Sequence, residues 1–318
     1  MPRKKPTAKS ASQPAAFRAA RGAKGASAPP PTVPGSWLAA AVGLAIVVAA
    51  VCAWGTLCLL FWQGSWQLLY HPTAAVARTP ASVGLPFGAV AFDATEAGDP
   101  QLEGWWIPAA LGARYSHITA LYLHGPDGNL GDTVDALALL HEAGPNVLAF
   151  DYRGYGQSKF ARPSEARWRE DAESALLYLT ATRHIAANSI VVVGRDLGAN
   201  LALQVAAAHP ELAGVVPQAP REQPANVYFR DPRARLVPAH ALVRDRYDMN
   251  SPAAALRIPS LWFYWTPKLG PSAENDEPEI LKMVTAPRML IWLPTTSDEE
   301  RCYQDALSRW LDGLPLPR

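Results

Sequence analysis

A stretch without a single charged side chain constrains the fold of this chain most strongly. No Asp, Glu, Lys or Arg occurs between Ser36 and Trp62, and nearly every residue of this stretch is apolar. A helix of about 20 such residues is long enough to cross a bilayer, and tryptophans such as Trp37 and Trp62 favour the two interfaces. A cleaved signal peptide is the alternative, but its apolar core usually has only about 7–15 residues. We therefore predict one transmembrane helix over residues 36–62.

The charges on either side of this helix predict its orientation. Arg18, Arg21 and Lys24 precede it closely, whereas the first charged residue after it is Arg78. Positive charge is retained on the cytoplasmic side. We expect a single-pass membrane protein with a cytoplasmic N-terminus and an extracytoplasmic folded domain at 63–318. Residues 1–35 carry seven Lys or Arg, seven Pro and no acidic residue, which predicts a disordered basic tail.

The charge and cysteine content of the remainder exclude several classes of protein. Outside the first 35 residues, 29 − 7 = 22 basic residues face 28 acidic ones, so nucleic acid is not an expected partner. Three cysteines and the absence of a Cys-x-x-Cys pair exclude a disulfide scaffold and a four-cysteine zinc site. We expect no metal and no cofactor. The expected partners are the lipid bilayer, through the transmembrane helix, and an unidentified protein, small-molecule or lipid ligand.

The apolar pattern after the helix alternates between strand and helix periodicity, which predicts an α/β fold with a mostly parallel sheet flanked by helices. The predicted strands are Ile118–Leu123, Asn146–Asp151, Ser189–Val193, Leu212–Val216, Leu261–Trp265 and Met289–Leu293. The predicted helices are Val134–Glu142, Glu165–Thr180, Leu197–Ala208 and Glu299–Leu311. A region rich in Arg and Pro at about 217–256 has weak periodicity and is predicted to form an excursion above the sheet.

Several motifs together resemble one branch of the α/β-hydrolase fold. The sequence S-I-V-V-V-G-R-D-L-G-A-N at 189–200 has the strand–turn–helix context of a nucleophile elbow. It is accompanied by Y-H-P-T at 70–73, G-W-W-I-P-A at 104–109, Y-L-H-G-P-D-G-N-L at 122–130 and D-Y-R-G-Y-G-Q-S at 151–158. This combination is similar to the single-span, membrane-anchored hydrolases that include depalmitoylating thioesterases. The resemblance covers about Trp66 to Leu314 and implies a Ser–His–acid site at the carboxyl ends of the strands.

The residues at the corresponding catalytic positions do not match that site. Asp196 occupies the place of the nucleophilic serine in Gly194-Arg195-Asp196-Leu197-Gly198. The alignment puts Lys268 at the position of the acid and Asp298 at the position of the histidine, and the last histidine of the chain is His240. Without that base, neither attack by serine nor hydrolysis of an aspartyl ester has its usual proton acceptor.

The oxyanion hole implied by the resemblance is also incomplete. One donor would be the backbone N–H of Leu197, after the nucleophile position. The second would come from Pro126, which has no N–H. The loss of one such donor typically lowers the rate by about 10²–10³-fold.

Two interpretations of Asp196 are open from the sequence. It is either a nucleophile, as in the haloalkane dehalogenases and epoxide hydrolases that have Asp at this elbow, or a cap of the following helix. A further hypothesis is that Lys268 bridges Asp196 and Asp298 in an ion-pair cluster that replaces the triad. Elsewhere, the excursion concentrates arginines that are candidate contacts for an anion or lipid headgroup: Arg230, Arg233, Arg235, Arg244 and Arg246.

These observations favour a membrane-anchored pseudohydrolase that serves as a binding or scaffolding module. The alternative is an active hydrolase that uses Asp196 on an ester, thioester, epoxide or halide. A third interpretation is an enzyme of unrelated chemistry on the same fold, because a fold does not determine a function.

Overall fold

A computed structural model describes residues 32–93, 99–266 and 277–315. Most of the predicted basic tail, residues 1–31, lies outside these ranges. The chain divides into two compact units, Met1–Cys52 and Ala53–Arg318. The first helix, α1 (Gly35–Gly64), contains the apolar stretch and is long and apolar enough to cross a membrane. Its last turns, from Ala53 onward, belong to the second unit.

Within the described residues, eight strands form one mixed sheet in the order β2-β3-β6-β4-β7-β8-β9-β10. Its strands are β2 (Gly88–Phe92), β3 (Leu102–Ile107), β4 (Thr119–Leu123), β6 (Asn146–Asp151), β7 (Ile190–Arg195), β8 (Gly214–Gln218), β9 (Ser260–Trp265) and β10 (Arg288–Leu293). Six neighbouring strands of the sheet, β6, β4, β7, β8, β9 and β10, are parallel to one another. Strand β3 is antiparallel to both β2 and β6. Two further short strands, β1 (His71–Pro72) and β5 (Asp127–Gly128), pair in parallel beside this sheet.

The central strands are apolar throughout because both faces of the sheet are covered. In β7, Ile190 and Val192 belong to one hydrophobic cluster, while Val191 and Val193 belong to another. All four are at most 2% exposed. This is the pattern expected for a parallel strand between two helical layers.

Eight α-helices lie within the described residues. They are α1, α2 (Val134–Glu142), α3 (Glu165–Leu177), α4 (Leu197–Ala208), α5 (Asn226–Arg230), α6 (Ala239–Leu242), α7 (Asn250–Ala255) and α8 (Glu299–Asp312). Helices α2 and α8 contribute to one hydrophobic cluster, and α3 and α4 contribute to the other. The sheet is therefore covered by helices on both faces.

The predicted elements agree with the structure except in two places. The prediction placed no strand before residue 118, but β2 and β3 form an antiparallel edge there. The predicted helix at 165–180 ends as an α-helix at Leu177 and continues as one π-helical turn over Tyr178–Thr182. The excursion at about 217–256 begins with the end of β8 and contains the three short helices α5, α6 and α7.

The end of α1 packs on the folded domain. Phe61 is only 2% exposed and lies in a hydrophobic cluster with residues of the domain. The indole N–H of Trp54 donates a hydrogen bond of 2.9 Å to the carbonyl of Leu236 in the excursion. These contacts join the last three turns of the apolar helix to the folded domain.

Candidate functional site

The turn between β7 and α4 has the strained backbone of a nucleophile elbow. Asp196 lies between the strand and the helix with φ 57° and ψ −124°, a region that residues other than glycine rarely adopt. Its N–H donates to the carbonyl of Gln218 at 2.9 Å, and its carbonyl accepts from the N–H of Ala199 at 2.9 Å. Hydrogen bonds to the neighbouring strand and to the helix therefore hold the turn.

Two glycines permit this turn because their surroundings leave no room for a side chain. A Cβ at Gly194 would collide with the carbonyl of Gly198, and a Cβ at Gly198 would collide with the carbonyls of Leu123 and His124. The tight turn thus depends on the glycines at both ends of the G-R-D-L-G sequence.

The Asp196 carboxylate is bound by an arginine that the sequence did not single out. Arg221 donates its Nε–H to Oδ1 of Asp196 and an Nη2–H to Oδ2, the latter at 2.8 Å. This is a bidentate pair whose geometry matches the planar guanidinium. The interpretation of Asp196 as a helix cap is wrong, because its side chain makes no capping hydrogen bond to α4.

A buried asparagine fixes the backbone of Arg221. The Asn200 side chain is fully buried on α4, four residues after Asp196. It accepts from the N–H of Arg221 at 2.9 Å and donates to the carbonyl of Arg221 at 2.7 Å. Its amide also donates to the carbonyl of Tyr247 at 3.2 Å. Both partners of the Asp196–Arg221 pair are thus held from the same helix.

The loop at the oxyanion position lies directly against the elbow. A Cβ on Gly125 would come within 3.2 Å of the Cβ of Asp196. Gly125 therefore lies against the elbow, and Pro126 is the next residue in the chain. The carbonyl of Pro126 accepts from the hydroxyl of Tyr155 and from the N–H of His71, each at 2.9 Å. Leu197 begins α4 on the other side of the elbow, where the resemblance places the first donor.

A histidine–carboxylate pair lies beside this loop. His71 and Asp127 are partners in the β1–β5 ladder, and Nδ1 of His71 is 2.6 Å from Oδ1 of Asp127. The other carboxylate oxygen of Asp127 lies 3.9 Å from Nη2 of Arg221. Among the described residues, no hydrogen bond or ion pair joins a histidine directly to Asp196.

A second histidine is buried beneath the loop. Nδ1 of His124 donates to the carbonyl of Gly125 at 2.7 Å, and Nε2 lies 3.5 Å from Oδ1 of Asp151 without a hydrogen-bond partner. Burial lowers the pKa of His124 to about 4 and raises the pKa of Asp151 to about 7. This neutral imidazole supports the loop from inside the domain.

The predicted ion-pair cluster of Asp196, Lys268 and Asp298 stays a prediction, because one of its three members lies outside the described residues. Arg221 is the partner of Asp196, and Lys268 is the member that lies outside the described residues. Asp298, which precedes α8, is more than half exposed and accepts a hydrogen bond from Arg301 of α8, at 2.9 Å. The loop that contains Asp298 is fixed by Glu299, which accepts a hydrogen bond from the indole N–H of Trp265.

An open cleft of about 430 Å³ borders the elbow. Arg195, Asp196, Ala219, Arg221 and Trp265 line it. The guanidinium carbon of Arg195 lies 5.2 Å from the ring centre of Trp265. Two arginines and one carboxylate leave the cleft with an excess of positive charge. Arg221 engages both oxygens of the carboxylate that would have to act as nucleophile.

The five arginines predicted as anion contacts do not share one environment. Arg233 pairs with Asp231 at 2.8 Å, and Arg246 donates to the carbonyl of His240 at 3.2 Å. Arg235 lies on a short 3₁₀-helix. Arg230 and Arg244 line two different cavities. The assignment of these five arginines as anion contacts stays a prediction.

Comparisons with known proteins agree with this architecture. A family model described as alpha/beta hydrolase fold matches residues 121–243. The uncharacterized protein Rv2307c of Mycobacterium tuberculosis is 32% identical over 171 residues, which cover 54% of this chain and 59% of that protein. Protein bem46 of Schizosaccharomyces pombe is 36% identical over 93 residues, which cover 29% of this chain and 31% of bem46. The match therefore spans less than two thirds of these relatives.

Solved structures give the same result for the fold. The esterase Pf2001 of Pyrococcus furiosus superposes with a TM-score of 0.57 at 18% identity and covers 77% of this chain and 98% of the esterase. The alpha/beta hydrolase GrgF from Penicillium gives a TM-score of 0.52 at 18% identity, with 72% and 97% covered. The fold class predicted from the sequence is thus confirmed: the protein has the α/β-hydrolase fold, preceded by one long apolar helix.

Proposed function

We propose that the protein is a membrane-anchored, single-pass member of the α/β-hydrolase fold without hydrolase activity. Its N-terminus lies in the cytoplasm, and its folded domain acts outside the cytoplasm as a binding or scaffolding module. The observation that carries this proposal is the bidentate pair between Arg221 and Asp196. A carboxylate whose two oxygens are both engaged and neutralised by a guanidinium is a poor nucleophile.

Two further features support a non-catalytic role. Pro126 lacks the N–H that would stabilise an oxyanion, and it follows the residue that touches the elbow. The described histidines make no direct contact with Asp196. Catalysis at this elbow would therefore lack a free nucleophile, its base and one oxyanion donor at the same time.

The test is an assay of the purified full chain against a panel of esters and thioesters, together with a fluorophosphonate probe. The Pyrococcus furiosus esterase serves as the positive control. We expect rates equal to those of a heat-inactivated sample and no covalent labelling. Labelling that disappears when one particular serine is replaced by alanine would contradict the proposal.

A repair series makes the test sharper. Asp196→Ser alone should remain inactive, because Arg221 would still occupy the mouth of the elbow and the base would still be missing. Adding Asp298→His, Pro126→Asn and Lys268→Asp should have little effect until Arg221→Ala clears that space, since the parts of a triad act as a unit. Activity of the single Asp196→Ser variant would show that another histidine already serves as base.

A second candidate function is favoured by one observation, the pair between His71 and Asp127 at the same edge of the sheet. In this alternative, a carboxylate oxygen of Asp196 displaces halide from carbon or opens an epoxide, which forms an alkyl ester of Asp196. His71 then takes a proton from the water that attacks the carbonyl carbon of this ester, and the alcohol leaves as the carboxylate is restored. Turnover in H₂¹⁸O would then place ¹⁸O in the Asp196 carboxylate, which mass spectrometry of the peptide containing Asp196 detects. We expect no incorporation, and His71→Ala is the control that would abolish any that occurs.

A further inference from the structure

A cavity of about 420 Å³ lies where the apolar helix ends and the excursion begins. Trp62 and Trp66 line it from the end of α1 and the turn that follows. It is also lined by three arginines. Arg162 lies in the segment before α3, Arg167 lies in α3, and Arg244 lies in the excursion. None of these five residues belongs to the cleft at the elbow.

The three arginines of this cavity form no ion pair within the described residues, although the charge of Asp245 acts on Arg162 from a longer distance. Within the described part of the chain, no carboxylate oxygen lies within 4.0 Å of the guanidinium nitrogens of Arg162, Arg167 or Arg244. Arg162 donates instead to the carbonyl of Trp62 at 2.8 Å, with its guanidinium carbon 5.7 Å from the ring centre of that residue. Arg167 donates to the carbonyl of Arg162. These contacts hold the guanidinium groups of Arg162 and Arg167 in place without neutralising their charge.

The carboxylate that does line the cavity is engaged elsewhere. Asp245 accepts from the hydroxyl of Tyr70 at 3.0 Å and from the N–H of Glu165 at 3.2 Å, and burial raises its pKa. The N-terminus of the 13-residue helix α3 also opens onto the cavity through its cap, Ser164. Asp245 already accepts from this N-terminus, and the three guanidinium groups that line the cavity outnumber this one carboxylate.

The position of the cavity along the chain points to the nature of its ligand. The apolar run of 26 residues between Trp37 and Trp62 would be about 39 Å long as a helix, whereas the hydrocarbon core of a bilayer is about 30 Å thick. The end of a spanning α1 therefore reaches the level of the lipid headgroups. Trp62, which is 42% exposed, is an aromatic residue typical of that level. Leu236 of the excursion, bonded to Trp54, is 62% exposed.

We propose that this cavity binds the phosphate of an anionic phospholipid headgroup from the membrane that α1 spans. Guanidinium groups bind phosphate oxygens in a bidentate manner, and three of them line this cavity. The glycerol and acyl chains would extend along Trp62 toward the apolar helix. This proposal rests on the proposed membrane anchor, but it is independent of whether the elbow is catalytic.

The experiment measures thermal stabilisation of the full chain in a neutral detergent. The probes are short-chain phosphatidylglycerol, short-chain phosphatidylcholine, glycerol phosphate and inorganic phosphate. We expect phosphatidylglycerol to stabilise the protein in a saturable manner and to bind at least about tenfold more tightly than the other three. An equal response to the soluble phosphates would overturn the lipid assignment in favour of a free phosphate, and no response to any probe would overturn the site.

Variants separate this site from a general charge effect. Arg167→Gln with Arg244→Gln should weaken phosphatidylglycerol binding by at least about tenfold, whereas Arg257→Gln, an exposed arginine outside the cavity, should leave it unchanged. The pair Arg167→Lys with Arg244→Lys keeps the charge and tests the fold, so it should retain part of the binding. Equal binding by the glutamine pair and wild type would refute the proposal. Membrane extraction of the same chain tests the anchor separately, so failure of one is distinguishable from failure of the other.

Discussion

The ion pair at the elbow predicts a measurable coupling between Asp196 and Arg221. Removal of either partner should destabilise the protein, and removal of both should cost less than the sum. The variants are Asp196→Asn, Arg221→Met and the double variant. Both substitutions keep the approximate side-chain volume, so the thermodynamic cycle reports mainly the interaction between the two groups.

The size of this coupling follows from the burial and geometry of the pair. The side chains of Asp196 and Arg221 are 33% and 37% exposed. The pair therefore lies between a fully exposed and a fully buried ion pair. Exposed pairs contribute about 0.2–1 kcal/mol, whereas breaking a fully buried pair costs about 3–5 kcal/mol. The bidentate geometry and the clamp of Asn200 reduce the entropy that is lost on pairing. We therefore expect a coupling of about 1–2 kcal/mol.

The assay is thermal unfolding of the full chain in detergent, followed by tryptophan fluorescence. For a domain of this size, 1 kcal/mol corresponds to about 2–4 °C in Tm. Asp298 and Arg301 form a matched control pair whose side chains are 55% and 72% exposed, and Asp298→Asn with Arg301→Met should show a coupling below about 0.5 kcal/mol. If the elbow pair gives a coupling no larger than this control, the argument that Arg221 holds Asp196 is refuted.

Three further changes have defined outcomes. Asn200→Ala should destabilise the protein by about 1–3 kcal/mol, because it removes a fully buried side chain that satisfies the part-buried N–H and carbonyl of Arg221; equal unfolding free energies of variant and wild type would contradict this. The folded protein keeps a proton on Asp151 up to a pKa of about 7, which lowers the free energy of unfolding as the pH rises from 4 to 7, while His124, with a pKa of about 4, acts in the opposite direction. Asp151→Asn should therefore gain stability relative to wild type as the pH rises through this range, by up to about 1.4 kcal/mol per pH unit. Denaturation at several pH values measures this, and a difference in unfolding free energy between variant and wild type that does not change with pH would disprove it. Finally, the full chain should stay in the membrane fraction after alkaline carbonate extraction, with a C-terminal tag accessible only from the extracytoplasmic side; release into the supernatant would exclude a spanning helix.

The parts of the fold that the sequence predicted well are those with strong periodicity and clear ends. The structure has α2 at Val134–Glu142, β6 at Asn146–Asp151 and α4 at Leu197–Ala208, as predicted. The antiparallel strands β2 and β3 were missed, although β3 contains the recognised G-W-W-I motif. Their residues do not alternate between apolar and polar, so the two-residue periodicity that is typical of a half-buried strand is absent.

The candidate site was predictable in its location but not in its contacts. The strand–turn–helix pattern placed Asp196 at the elbow, because that pattern depends on glycines close in sequence. Arg221 lies 25 residues away and reaches Asp196 only through the side-by-side arrangement of β7 and β8. Its position just after a strand at the carboxyl edge was the one available signal. The pairing of Asp196 with Arg221 is a contact between distant parts of the chain, and no local sequence pattern specifies it.

The elbow is a backbone feature that does not depend on the residue at its tip. Gly194 and Gly198 are required by contacts with main-chain atoms, and hydrogen bonds of the main chain hold Asp196 in its strained conformation. The glycines and apolar strands that a sequence profile detects therefore persist whether the tip carries Ser, Asp or another side chain. A chain such as this one will be classified among hydrolases on its scaffold alone, and its assignment as an enzyme must be decided from the side chains at the tip and from the groups that contact them.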